Sequence, residues 1–568
     1  MSAENRIIVP MPDFSTLAEA LAKIGELYPV NGFTFQHQDG REAPYSFPAI
    51  ERETRTRGAA LQHRGLVKGD RLGIIAVEPE DFILTFLAAI RTGVIPVPMY
   101  PPLYLGRIDN YLQQTEAILQ SASARFVAIS RDLSAVLSSL GKRVEGFAGI
   151  VEIEELAKGE PGSSLAAVRI DPDDLAFLQY TSGSTAEPRG VMITHRCLIS
   201  NIRAFVGTGL DADPVRDKGV TWLPLYHDMG LIGFVLAPIY RGISVVFIPT
   251  LRFVRNPNVW METMHAHRGT ISFAPNFAFG LALRKARASD HEHWDLSCVK
   301  ALGCGAEPIH AQGIREFIEF FGQRYQLPEN CVAPAYGLAE STLAVTMKRW
   351  REPLQICRID KPIFEKEAKA VPAEENTCFA LEHVSCGAPL PGLDLAIMDR
   401  YGQVLPDFTE GEICLRGPST GVGYFGNPEA WQAILRDGWL RTGDLGYLAA
   451  GELYVTGRIK DLIILNGRNI HPQVVEWLAS EVEGVRKGCV VAFSRPGQNG
   501  SEELVLVVEV RGANTGKLIS EIGDAVQKAI FFKPADVICL KPGSLPRTSS
   551  GKLKRHQVRR QYLSSGLP

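Results

Sequence analysis

None of the ten cysteines has a partner at CxxC spacing, and neighbouring cysteines lie six or more residues apart. That pattern excludes a zinc ribbon or a thioredoxin-like redox motif and points to reduced, buried thiols. Long apolar runs are also missing. The best candidate, residues 229–240, is stopped after twelve residues by Arg241, short of the roughly 18 to 20 a bilayer span requires, and is expected to be a core element. The start, MSAENRIIVP, carries Glu4 and has no basic flank ahead of an apolar stretch, so no secretory signal is expected and a cytoplasmic location is. Neither sign of charge dominates: 60 Lys plus Arg against 63 Asp plus Glu give a net charge of -3. No global field favours nucleic acid or anionic lipid, and small-molecule chemistry becomes the default. Repeats of 20 to 50 residues and low-complexity tracts are absent, which excludes solenoids and propellers.

What is present is a 568-residue chain, 45% hydrophobic and 22% charged, long enough for two or more packed units. Strand-like runs at 71–76, 126–130 and 244–249 alternate with helical stretches such as 80–93, the signature of α/β layers. After about residue 457 the pattern changes. GCVVAF at 488–493 and ELVLVVEV at 503–510 precede a helix with Leu518, Ile519, Ile522, Val526 and Ile530 on one face, which predicts a small α+β C-terminal domain. Residues 348–384 hold fourteen charges in 37 positions. This segment is expected to lie largely on the surface as an ordered insertion, docked through Ile356, Ile359, Ile363 and Phe364.

Chemistry concentrates in short strings. YTSGSTAEPRG at 180–190 follows an apolar run and offers the hydroxyls and backbone N–H groups of Thr181, Ser182, Gly183, Ser184 and Thr185, a cradle suited to phosphate oxygens. It is not a Walker loop, because no Gly-Lys-Ser/Thr follows. The other strings are WLPLYHDMGLIG (222–233), GCGAEPI (303–309), AYGLAEST (335–342), LRTGDLGYL (440–448), YVTGRIKDLIILNGRN (454–469) and LPRTSSGKLKR (545–555).

Seven strings in this order resemble the adenylate-forming (ANL) superfamily of acyl ligases, luciferases and nonribosomal adenylation domains, over most of the chain. The resemblance implies a large α/β adenylation domain, residues 1–457, binding ATP and Mg²⁺, and a mobile α+β lid, residues 458–568, swinging on a hinge at 458–461. It further implies that Lys552 bridges the carboxylate and the α-phosphate, where transition-state charge demands a fixed positive donor. Asp444 would accept from the ribose hydroxyls, and Glu340 would be an oxygen ligand for Mg²⁺. Tyr336 would stack on adenine, with Gly305, Ala306, Glu307 and Pro308 along the ring's opposite edge. Ala335, Gly337, Ser341 and Thr342 would complete the nucleotide site, Arg458 would contact ribose or phosphates, and His227 would stand near the reacting carboxylate and gate the thiol. Arg189 stands where most of the superfamily has lysine, and Lys460-Asp461 replaces the commoner acidic hinge pair.

Within the superfamily the chain is most similar to fatty acyl-AMP ligases. The features are LPLYHDMGLIG, SCGAPLPG (385–392), NGRNIHP (466–472) and the charged insertion. That similarity implies a fatty acid as substrate and an acyl carrier protein, or a carrier domain of a polyketide or nonribosomal synthase, as acceptor. A fatty acyl-CoA ligase using free CoA is the neighbouring reading. A non-catalytic nucleotide- or acyl-binding homologue is the distant one, disfavoured because Lys552, Glu340 and Asp444 are all present. Phe273, Phe277 and Phe279, spaced by Ala and Gly, are candidates for an apolar tunnel. The tail from 541 holds seven Lys plus Arg and no Asp or Glu, expected as a solvated helical face able to steer an acidic partner.

Overall fold

The computed structural model describes residues 9–102, 108–140, 144–159, 164–181, 188–289, 293–377, 379–497, 502–511, 515–548 and 551–565. A nine-stranded sheet forms its centre. Its spatial order is Ala388–Pro389, Ala344–Met347, Val332–Gly337, Ala301–Gly305, Ile271–Pro275, Lys218–Thr221, Ser244–Phe247, Gly32–Gln36 and Glu42–Ser46. From Val332–Gly337 through Gly32–Gln36 the strands run parallel, whereas Ala344–Met347 turns back antiparallel. Ile271–Pro275 and Ala301–Gly305 are buried at every position, as expected of a parallel sheet covered on both faces. Gly303 is small for a reason: a Cβ there would lie 1.9 Å from the ring of Phe273 on the neighbouring strand.

A second, four-stranded parallel sheet (Ile95–Pro98, Arg71–Ile75, Phe126–Ile129, Gly149–Glu152) packs alongside. The expected strands at 71–76, 126–130 and 244–249 and the helix at 80–93 appear as Arg71–Ile75, Phe126–Ile129, Ser244–Phe247 and Pro79–Thr92. Residues 229–240 are core, within the helical stretch 228–241. Among the described residues no helix is long and apolar enough to cross a membrane. The nine described cysteines are free, six of them buried, and Cys378 lies outside the described residues.

Residues after 462 build their own apolar clusters. One joins Ile463, Ile470 and Val475 to Leu506, Ile522 and Val526; the other joins Val491 and Phe493 to Leu545 and Val558. The helix Thr515–Ile530 buries Leu518, Ile522, Val526 and Ile530. Ile519, expected on that face, is 38% exposed instead, because it sits one position past Leu518 and a helix turns about 100° per residue.

The insertion is ordered. Ile356–Asp360 and Ala380–Val384 pair antiparallel around a helix, Lys361–Glu367. Ile359 and Phe364 are buried against Tyr447 and Tyr454 of the adjoining sheet. Most of the segment is exposed or half-buried, as expected, but Lys348, Lys361 and Glu365 are buried. Their partners explain how charge is tolerated there. Lys348 donates to the Asn330 carbonyl at 3.0 Å, Lys361 to the Ala529 carbonyl at 2.6 Å, and Glu365 accepts from Arg468 Nε at 3.1 Å. Ala529 and Arg468 belong to the C-terminal region, so the insertion grips it directly. Phe379 and Phe531 add a ring contact at 5.4 Å.

Candidate active site

A cleft of about 4450 Å³ opens at the carboxyl ends of Ile271–Pro275, Ala301–Gly305 and Val332–Gly337 and is closed over by residues after 540. In an open α/β sheet this is where ligands bind. The chain needs glycine to shape its wall: a Cβ at Gly305 would lie 2.6 Å from the Ala335 carbonyl. Ala306 next to it adopts φ +66°, a left-handed geometry uncommon outside glycine. Gly305, Ala306, Glu307, Pro308, Ala335, Tyr336, Gly337, Glu340, Asp444, Arg458, His227 and Lys552 all line the cleft.

Asp444 and Arg458 are a cross-strand pair on Trp439–Ala449 and Glu452–Arg458, and Arg458 Nε stands 2.8 Å from Asp444 Oδ1. The Tyr336 hydroxyl donates to Asp444 Oδ2 at 2.8 Å. Burial and the neighbouring Asp444 charge push the Tyr336 phenol far above its ordinary value. A carboxylate oxygen has two acceptor sites, so each oxygen of Asp444 keeps one for a further donor.

Lys552 faces this acidic wall from a short loop in which Thr548 N donates to the Lys552 carbonyl at 2.7 Å. Burial lowers its ammonium pKa, opposed by the charges of Glu307 and Asp228. Glu307 accepts from Phe277 N at 2.7 Å, at the start of the helix Asn276–Arg287, where a negative charge is favoured. Burial, foremost, and then the Lys552 charge hold His227 down at about 3, so its imidazole is neutral at physiological pH. Glu340 Oε1 accepts from the Tyr424 hydroxyl at 2.7 Å.

Two of the expected nucleotide-site residues have hydroxyls bonded within the protein. Ser341 and Thr342 are fully buried, and their hydroxyls are committed to the Ser419 hydroxyl at 3.3 Å and the Ser419 carbonyl at 2.6 Å. Thr181 ends the strand Leu175–Thr181, while Ser182, Gly183, Ser184 and Thr185 lie outside the described residues. Phe273, Phe277 and Phe279 all line the cleft, joined by Trp222, which stacks on Phe253 at 3.7 Å. The basic tail is only partly a solvated face. Arg555 pairs with Asp461 at 2.6 Å and Glu476 at 2.8 Å, and Arg559 donates to the Ser494 carbonyl at 2.8 Å. Sequence reasoning missed Asp228, Tyr424 and the placement of Arg189, whose guanidinium lies 5.5 Å from the Tyr424 ring. The run TGVGYFGNP around Tyr424 reads only as a glycine-rich turn.

A layered α/β body with a cleft at its strand ends, closed by a small unit that contributes a half-buried lysine, defines an adenylate-forming type of enzyme. The chain belongs to the AMP-binding enzyme family, which matches residues 33–425. It is similar to a Caulobacter vibrioides protein carrying a provisional acyl-CoA synthetase name, 35% identical and covering 98% of this chain and 96% of that one. It is also similar to the medium-chain-fatty-acid–[acyl-carrier-protein] ligase JamA of Moorena producens, 31% identical over 98% of this chain and 96% of JamA. A solved structure from work on fatty acyl-adenylate ligases of E. coli and L. pneumophila superposes with a TM-score of 0.90 at 34% identity, covering 97% of this chain and 99% of that one.

Proposed function

We propose that the chain activates a fatty acid with ATP and passes the acyl group to the phosphopantetheine thiol of an acyl carrier protein. In the first step a carboxylate oxygen attacks the α-phosphorus, a new O–P bond forms, the bond to the β-phosphate bridging oxygen breaks, and pyrophosphate leaves. In the second the thiol sulfur attacks the acyl carbonyl, the thiol proton is lost, and AMP departs with the electrons of the acyl–oxygen bond. The observation that carries the reading is half-buried Lys552 within the influence of Glu307 and Asp228 in a cleft that also holds Asp444 and Glu340.

Lys552 neutralises charge that grows on the α-phosphate, and a preorganised donor of this kind is worth about 10² to 10³ in rate. The free acceptor sites of Asp444 take the ribose hydroxyls. The ring of Tyr336 and the strip Gly305–Ala306–Glu307–Pro308 border the base, with Arg458 on the ribose or phosphate side. Among the described residues no group of three or more His, Cys, Asp or Glu could hold a metal ion. Mg²⁺ is bound chiefly by phosphates and water with one or two carboxylates; Glu340 would hold it, and it would supply neutralisation of phosphate charge. Neutral His227 can approach the carboxylate without a competing charge. Phe273, Phe277, Phe279 and Trp222 suit an alkyl chain, at about 0.8 kcal/mol for each methylene buried.

For thiol transfer the region 458–568 swings about residues 458–461 and withdraws Lys552. The grip of the insertion on Ala529, Arg468 and Phe531 supports a carrier protein as acceptor over free CoA, because it biases the lid's position. A misplacement of about 1 Å can cost ~10²-fold. The provisional acyl-CoA synthetase name of the Caulobacter relative keeps free CoA as the second reading. The test is incubation with ATP, Mg²⁺ and a ladder of fatty acids, followed by mass spectrometry. Acyl-AMP should appear, and adding CoA should give no acyl-CoA where adding a holo-carrier protein consumes the adenylate. Absence of acyl-AMP with every acid would overturn the reading.

A further inference from the structure

The segment 417–427 follows the strand Gly411–Arg416 and runs to the helix Pro428–Gln432. One side of it extends the hairpin Leu175–Thr181/Arg189–Thr194 that frames the phosphate-cradle string. Met192 N donates to the Gly423 carbonyl at 2.9 Å, Val422 N to the Met192 carbonyl at 3.1 Å and Phe425 N to the Gly190 carbonyl at 2.8 Å. Val191 and Tyr424 face each other in an antiparallel bridge. The other side grips the turn that presents Glu340. Gly421 N donates to the Glu340 carbonyl at 2.9 Å, the Thr342 hydroxyl to the Ser419 carbonyl at 2.6 Å, and the Tyr424 hydroxyl to Glu340 Oε1 at 2.7 Å.

The gripped turn is strained. Thr342 holds φ 67° and ψ −65°, the γ-turn geometry that is rare and strained for any residue and more so for a β-branched one. Such a conformation persists only when its surroundings over-determine it, and the bond from Thr342 to Ser419 is one such constraint. Tyr424 itself cannot move freely. It is 4% exposed, its ring meets Trp431 edge-on at 5.1 Å, and Arg189, at the start of the second hairpin strand, lies 5.5 Å from the ring centre. A rigid phenol donating to Glu340 Oε1 restrains that carboxylate oxygen and leaves Oε2 outside the bond.

We propose that Tyr424 is a positioning residue that sets the Glu340 carboxylate for the metal and, through Arg189, ties it to the phosphate-cradle hairpin. This rests on the reading of Glu340 as the Mg²⁺ ligand. The segment 417–427 thereby makes two otherwise separate parts of the nucleotide site one rigid body. Outer-shell partners of this kind typically contribute 10- to 100-fold in metal affinity.

The test uses the full chain as wild type, Tyr424→Phe, Glu340→Gln and the double variant. Calorimetry with α,β-methylene-ATP gives the Mg²⁺ midpoint for nucleotide binding, pyrophosphate release gives the fatty-acid dependence, and thermal unfolding reports the fold. Tyr424→Phe keeps the ring against Trp431 and Arg189 and removes the donor alone. It should raise the Mg²⁺ midpoint about 10-fold with the fatty-acid KM and unfolding temperature unchanged, and it should add nothing in the Glu340→Gln background. A wild-type midpoint in Tyr424→Phe, or an equal shift in both backgrounds, overturns the role of Tyr424. A wild-type midpoint in Glu340→Gln overturns the metal reading of Glu340 instead, and the proposal with it. Should Tyr424→Phe fail to fold, Arg189→Met leaves the Tyr424–Glu340 bond in place. It should weaken binding of the analogue at every Mg²⁺ concentration, and unchanged binding would overturn the link to the hairpin.

Discussion

Asp444 and Lys552 line one cleft yet are held by different physics. Asp444 sits in mid-strand, bonded by Tyr336 and Arg458, with its own N–H donating to the Thr442 hydroxyl at 3.0 Å. Its position is set between its own sheet, through Arg458, and the central sheet, through Tyr336. Lys552 rides on a loop braced by Thr548, its N–H donating to the Thr548 hydroxyl at 3.1 Å, on a unit with its own apolar clusters. What keeps that loop over the cleft is remote from the chemistry. The seam includes Glu365 with Arg468, Lys361 with the Ala529 carbonyl, and the buried pair of His471 Nε2 and Glu410 Oε1 at 3.0 Å. The body's contribution is thus static, while the lid's is conditional on contacts that the proposed rotation would break.

The largest expected effect strikes the conditional half. Lys552→Ala should lower acyl-AMP formation by about 10² to 10³ while largely sparing thiol transfer from acyl-AMP supplied ready-made. Near-normal pyrophosphate release in the variant would remove the lysine from the chemistry and erase the contrast. The static half should respond differently. Asp444→Ala should raise the ATP concentration for half-maximal rate by about 10- to 100-fold, the equivalent of one to two charge-assisted hydrogen bonds at ~1.5 to 3 kcal/mol each before relaxation, with less change in the fatty-acid dependence. An ATP dependence equal to wild type would reduce Asp444 to a brace for Tyr336 and Arg458.

The seam offers a sharper version of the comparison. Glu365→Ala leaves Arg468 and the buried Lys361 without their carboxylate, and breaking a buried pair costs up to about 3 to 5 kcal/mol, less here because Arg468 reaches solvent. Amide exchange in Lys361–Glu367 and Thr515–Ile530 should speed up by about 10-fold or more, and acyl-CoA should appear when CoA is present. Exchange as slow as in wild type would show that the seam does not depend on this pair. Faster exchange without acyl-CoA would move the exclusion of CoA from lid position to the thiol channel.

The smallest effect concerns pH. His227 is held at about 3 against an ordinary 6.5, chiefly by burial. As pH falls below 6.5 the unfolded chain takes up a proton there that the folded chain refuses until about 3. The stability that is complete above pH 6.5 is therefore lost progressively across that window. His195 and His383, both pushed down to about 4 by burial, add slopes of the same sign. His227→Asn should show a shallower loss of denaturant midpoint between pH 7.5 and 5 than wild type. An identical slope would mean that the folded protein protonates His227 readily.

Much of the cleft was legible because its chemistry is local in sequence. The strings around Tyr336, Asp444 and Lys552 each carry their residue types within a few positions, the first at a strand end, the second within a strand and the third on a short loop. The sequence also gives no sign of what holds Ser341 and Thr342: their hydroxyls bond Ser419, 78 and 77 positions away. Tyr424 was missed because its partner Glu340 is 84 residues away and a tyrosine between glycines has no periodic signature. Ile519 belonged to an apolar pattern that the helix phase did not honour.

The sequence by itself determined the α/β layering, the separate character of the last hundred residues and the strings that place Lys552, Asp444 and Glu340 in one cleft, since periodicity and local strings depend on near neighbours alone. Tertiary structure decided which charges of the insertion are buried. Lys361 and Glu365 look solvated in a run of fourteen charges, and only the approach of Ala529 and Arg468 supplies the partners that make burial tolerable. It likewise decided how Glu340 is held, because the strained turn and Tyr424 meet through a segment distant in sequence. The physical reason is the same in both cases: whether a polar group can leave water depends on partners the fold brings to it, and those partners leave no mark beside it in the chain.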